Sequence, residues 1–207
     1  MHVSIRMRTF CLFFVGISVL LWVGIVSPLF ETGYLASFDH PLHQGLLQCA
    51  KQSTMWYLPS IWCDHLMAGV APFQVYPAPF YMLVFILAKV FTLQTAYKVG
   101  IALVWLLIPS ATGLALSLAG WHFAGAIAFA LLLLHPSNVV VLEASMFNQV
   151  AGIAFLILAV VCLESFLKHS TPARFSLLCL VTATSLLFHP STFLFIAFPI
   201  LLVCLHH

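Results

Sequence analysis

The chain has 207 residues, of which 63% are hydrophobic and only 6% are charged, and its mean hydropathy is +1.14. Soluble domains carry about 25% charged residues, so no surface of this protein can face water all round. A formal net charge of +2, with no basic stripe, excludes nucleic acid as a partner and leaves membrane lipid as the surroundings.

The first apolar run, Phe10 to Leu29, follows Arg6 and Arg8. It is too long for a cleaved signal peptide and has no small-residue cleavage site close behind it. It reads as an uncleaved signal anchor over residues 1–29 with a cytoplasmic N-terminus. Residues 30–95 then form an extracytoplasmic loop with juxtamembrane helices. The loop contains Ser37-Phe38-Asp39-His40-Pro41-Leu42-His43. Asp39 is one of only 5 acidic residues in the chain, and an acid at the edge of such an apolar protein is a functional-site candidate. It also reads, equally well, as the cap of a helix beginning at His40-Pro41. The spacing of Leu42, Leu46 and Ala50 predicts that Pro41 to Gln52 is a helix lying along the membrane surface, that face turned to lipid or to the spans. Cys49 and Cys63 share this loop; export would permit a disulfide, which spacing alone does not decide. Trp56 and Trp62 read as interface anchors.

The run from Phe80 to Phe91 is too short to cross a hydrocarbon core of about 30 Å at about 1.5 Å per residue, so it reads as a partly embedded helix on the outer side. Residues 96–207 form a helical bundle. Ala96 to Ala119 spans, with Pro109 a candidate kink, and Val150 to Leu167 spans. Trp121 to Leu134, Phe175 to Phe188 and Thr192 to Leu205 are shorter runs. The tripeptide His-Pro-Ser closes two of the runs, at 135–137 and 189–191, and reads as a helix stop. The fold class is therefore all-α: one polytopic transmembrane helical bundle of about six spans with a helical first extracytoplasmic loop. Lys and Arg divide almost evenly between the two sides in either topology, so the positive-inside rule does not decide, and run length does. In the arrangement that length selects, Asp39 and Glu143 lie on the same side. Glu143 sits in an apolar stretch where an acid is costly, which favours a function.

The order of these features resembles a known group. The Phe-Asp-His-x-x-His loop, Trp62 to Gly69, the block Pro72-Phe73-Gln74-Val75-Tyr76-Pro77-Ala78-Pro79-Phe80-Tyr81 and then Ala96-Tyr97-Lys98 resemble the membrane proteins called 6-pyruvoyl-tetrahydropterin synthase-related. They also resemble the wider superfamily of C-type (GT-C) membrane glycosyltransferases. The pterin name carries no function here, since nothing resembles a soluble pterin enzyme with its zinc histidines. The resemblance implies a GT-C-like fold, a polyprenyl-phosphate sugar donor, and catalytic acids at Asp39 and Glu143. The second acid of the usual Asp-x-Asp pair is absent, because position 41 is Pro. Transfer from such a donor needs a carboxylate to accept the acceptor hydroxyl's proton, and a cation to neutralise the leaving phosphate. Asp39 and Glu143 would hold a divalent cation, Mg or Mn. His40, His43, Asp64 and Tyr76 are the candidate substrate-binding residues, and Lys89 and Lys98 are further partners for phosphate or, more simply, snorkelling anchors. The chain is short for this superfamily, so the bundle over 96–207 reads as truncated and the chain as the N-terminal module of such an enzyme, the enzyme itself being the other reading. The rival expectation is a non-catalytic membrane protein that uses the same fold to bind lipid or a partner. A transporter segment is disfavoured, because paired Gly/Pro-broken repeats are missing.

Overall fold

The computed structural model describes residues 5–31, 33, 40–52, 79–136 and 146–189, and in these residues every regular element is a helix. The predicted run 192–205, Asp39, Asp64, Tyr76 and Glu143 lie outside the described residues.

Helix α1 covers Ile5–Val26 and the single turn α2 covers Pro28–Glu31. Pro28 has no amide proton to continue the ladder, so α1 closes on Ser27 N–H to Val23 O at 2.9 Å and α2 restarts behind it. Together they make an apolar stretch, Thr9–Glu31, of 23 residues. Helix α3 is His40–Gln52, with Pro41 in its first turn, where the missing amide is harmless. Helix α4 is Pro79–Leu87, whose 9 residues reach only about 14 Å. That is shorter than a hydrocarbon core of about 30 Å, and the chain turns at 88–92 to run back along the start of α5, Leu93–Leu118. Thr92 caps α5 by accepting from Thr95 N at 3.2 Å.

The far end of α5 stops at Gly120, which has φ +88°, a left-handed conformation that glycine adopts without Cβ strain. Trp121 N–H reaches back to Leu116 O at 2.9 Å and Gly120 N–H to Ser117 O at 3.0 Å, the paired bonds of a Schellman stop. Helix α6, His122–Leu133, returns antiparallel, and Trp105 Nε1 donates to the terminal Leu133 carbonyl at 3.1 Å. Helices α7, Phe147–Lys168, and α8, Pro172–Phe188, form the second hairpin. Thr171 caps α8, and Arg174 donates to Ser165 O at 2.9 Å, placing a cation at the C-terminus of α7. Ser185 Oγ donates to Gly152 O at 2.8 Å at the other end of the pair.

Among the described residues, three helical stretches are long and apolar enough to cross a membrane: Thr9–Glu31, Leu93–Leu118 and Phe147–Lys168. The protein is thus a helical membrane protein. Helices α6 and α8 are apolar but shorter. Large side chains such as Leu12, Leu20, Leu131 and Leu180 stay exposed and present a lipid-facing surface.

Helices α5 and α6 approach closely at two glycines. A Cβ built on Gly125 would stand 2.7 Å from the Gly113 carbonyl oxygen and 2.7 Å from Ser117 Oγ. A backbone carbonyl cannot swing aside, so Gly125→Ala is expected to cost about 1–3 kcal/mol by overpacking. Gly16→Ala is the control: nothing lies within 4 Å of its Cβ position inside α1, and it is expected to be neutral or to stabilise by up to about 1 kcal/mol. Thermal unfolding in detergent separates the two, and equal melting temperatures would refute the close approach.

Candidate functional site

The main buried cluster gathers at one end of the bundle, where α1 ends and α5 and α7 begin. It takes Trp22 and Val26 from α1, Leu46, Leu47 and Ala50 from α3, Phe80, Tyr81, Val84 and Phe85 from α4, Tyr97, Ile101 and Trp105 from α5, and Phe147 from α7. Helix α3 is the lid of this cluster. His40, His43, Leu46, Leu47 and Ala50 fall on one face by the three-to-four-residue repeat, and all are buried. The predicted helix is thus present, with Leu46 and Ala50 turned into the helix cluster.

Each histidine is bound to a tyrosine from a different helix. His40 Nδ1 pairs with Tyr97 Oη of α5 at 2.8 Å, and His43 Nδ1 pairs with Tyr81 Oη of α4. Both imidazoles flank the Phe147 ring, at centroid distances of 5.5 Å and 5.6 Å. Phe147 stacks on Phe80 at 4.8 Å, and Tyr97 meets it edge-on at 5.9 Å. Such pairs are worth about 0.5–1.5 kcal/mol each beyond the area they bury. The imidazole–phenol pairs supply the partners that buried polar groups require. Lys98 is buried immediately after Tyr97, whereas Lys51 and Lys89 are exposed around a cleft of about 280 Å³ beside Thr92. Asn148, next to Phe147, has its Oδ1 buried without a hydrogen-bond partner.

Of the sequence-predicted residues, the structure therefore brings His40 and His43 together, and the cage around them adds Tyr81, Tyr97, Phe80 and Phe147. The i, i+3 spacing of the two histidines was the readable sign that they share a face. Nothing in the sequence pairs either with a particular tyrosine. Among the described residues, no group of three or more His, Cys, Asp or Glu side chains could hold a metal ion, and the carboxylates expected to do so, Asp39 and Glu143, lie outside those residues. The two histidines already spend Nδ1 on tyrosines.

Cys49, on α3, is disulfide-bonded, and its partner lies outside the described residues. The protein isolated without reductant is expected to show at most four reactive thiols of its six cysteines after denaturation, and two more after reduction. Six reactive thiols before reduction would refute the bond.

No protein-family model, curated protein or solved structure matches the chain.

Proposed function

We propose that this chain is a GT-C-like membrane glycosyltransferase, or the N-terminal module of one, which transfers a sugar from a polyprenyl-phosphate donor on the extracytoplasmic face of a bundle of about six spans. The observation that carries the reading is the docking of α3. His40 directly follows Asp39, and Phe147 comes four residues after Glu143; the His40 and Phe147 rings are 5.5 Å apart. The starts of α3 and α7, which follow the two acids in sequence, thus meet in one cluster at one end of the bundle. This supports the same-side placement that a shared site requires.

In this reading Asp39 takes the proton of the acceptor hydroxyl. Glu143, with Asp39, would hold a divalent cation, Mg or Mn, which would supply positive charge to neutralise a leaving phosphate. Asp64 and Tyr76 contribute to substrate binding. His40 and His43, already bound to Tyr97 and Tyr81, fix the loop and stand at the rim. The disulfide at Cys49 supports an extracytoplasmic position for α3, because such bonds persist in oxidising compartments and are rare in the cytosol. A second reading, a non-catalytic protein that binds lipid or a partner, is favoured by one observation: both histidines are committed to packing and to tyrosine hydroxyls.

Proteoliposomes of the intact protein, supplied with radiolabelled polyprenyl-phosphate sugars and peptide, glycan and lipid acceptors, test the activity. Transfer on the side that carries α3 is expected, and its absence with every donor favours the non-catalytic reading. Cysteine-accessibility labelling tests the geometry. Positions in residues 31–95 and position 143 are expected to label from one side and position 170 from the other. Labelling of 143 together with 170 removes the paired-acid site.

A further inference from the structure

The cleft of about 280 Å³ beside Thr92 is built by three elements. Lys51 comes from the last turn of α3, Lys89 from the bend that follows α4, and Thr92 and Leu93 from the start of α5. Both charged groups on its lining are cations. Among the described residues, no acid lines the cleft and neither lysine has an ion-pair partner. A lysine at the end of a helix offsets the dipole of that helix, which accounts for Lys51 taken alone. It does not account for two cations from different elements bordering one cleft, where their mutual repulsion is unfavourable unless an anion lies between them. The start of α5 adds to the same field. Thr92 Oγ1 accepts from Thr95 N–H at 3.2 Å, and the amides of the first turn ahead of Thr95 have no carbonyl within their own helix.

We infer that this cleft binds the phosphate of an anionic phospholipid headgroup. The two lysines select the anion, and position selects lipid as its source. Helix α5 is one of the membrane-spanning stretches, so its first residues lie at the level of the headgroups. Around the cleft, Ile86, Val90 and Phe91 are 63%, 81% and 44% exposed. Three large apolar side chains exposed about one bend mark contact with lipid, and lysines among them extend apolar stems along the interface to an ammonium at phosphate depth. A phosphodiester held between Lys51 and Lys89 leaves its acyl chains against those apolar side chains. The inference stands whether or not the chain transfers sugar, and it uses no residue to which the proposed reaction assigns a step.

The test mixes the intact protein in detergent with phosphatidylglycerol and phosphatidylcholine of equal chain length, without a polyprenyl donor. The lipids retained are counted by native mass spectrometry. Each lysine beside an anionic headgroup is worth about fivefold in affinity, so one phosphatidylglycerol is expected to be held with a preference of about 25-fold. Lys51→Gln and Lys89→Gln are each expected to lower that preference about fivefold, and together to bring it to about one. Lys168→Gln, at the other end of the bundle, is the control and is expected to leave it unchanged. Both lysines of the cleft are exposed, so the melting temperature is expected to hold; should Lys51→Gln not fold, Lys89→Gln, outside any helix, carries the test. Equal retention of the two lipids by the wild type overturns the site. So does a preference that survives the substitutions, or one that falls equally in Lys168→Gln, the sign of diffuse attraction. Inorganic phosphate in excess is expected to leave the lipid in place, and its displacement by phosphate would assign the cleft to a free anion and overturn the lipid.

Discussion

Asp39→Asn is expected to lower sugar transfer by about 10²–10⁴-fold, the range for loss of a positioned general base, without lowering the amount of protein in the membrane. The substitution is informative because the competing role of Asp39 is structural. Helix α3 starts at His40, and the residue before it is where a cap belongs. Asn caps helices as well as Asp does, so the variant keeps a cap and removes only the basic carboxylate. Loss of transfer with an unchanged melting temperature therefore assigns the carboxylate to the chemistry, as base or as cation ligand, and not to the cap. Full activity ends the catalytic-base reading, and loss of activity together with loss of stability points to a carboxylate that holds the fold. Glu143→Gln is expected to behave like Asp39→Asn and, if a shared cation is involved, to shift the Mg or Mn dependence of the remaining activity.

Much of this architecture was legible because hydropathy run length is a coarse property that survives tertiary context. The spans at 96–119 and 150–167 coincide within a few residues with α5 and α7. The shortness of the run at 80–91 matches the 9 residues of α4, and Leu42, Leu46 and Ala50 marked the packed face of α3. The residues around that face were not legible. Tyr81 lies 38 positions from His43 and Tyr97 lies 57 from His40. Such pairs are set by how α4 and α5 fold back on each other, and no local period encodes that. Phe147 was hidden for another reason: an aromatic residue at the start of an apolar run reads as membrane interface, whereas here it is the surface on which two imidazoles and Phe80 meet. The close contact of Gly113 with Gly125 was equally silent, because a glycine in an apolar helix has several uses and only the crossing of α5 and α6 selects one.

The histidine–tyrosine pairs give the second large effect. His43→Phe keeps an aromatic ring but takes away a hydrogen-bond partner of Tyr81 Oη, and Tyr81→Phe does the converse to His43. Each is expected to cost about 1–3 kcal/mol, the penalty for a buried polar group that loses a hydrogen bond. For a chain of this size that lowers the melting temperature by about 2–4 °C per kcal/mol. Replacing both partners removes the unmet group as well as the bond, so His43→Phe with Tyr81→Phe is expected to recover much of the loss, with a coupling of about 0.5–3 kcal/mol in the double-mutant cycle. Additive losses would mean that the two side chains do not stabilise α3 through each other. The same cycle on His40 and Tyr97 separates structure from chemistry. If His40 serves only to dock α3, the His40→Phe, Tyr97→Phe protein regains both stability and transfer. If its imidazole also faces the substrate, stability returns and transfer does not, which would place His40 in the site beside Asp39 and not merely beneath it.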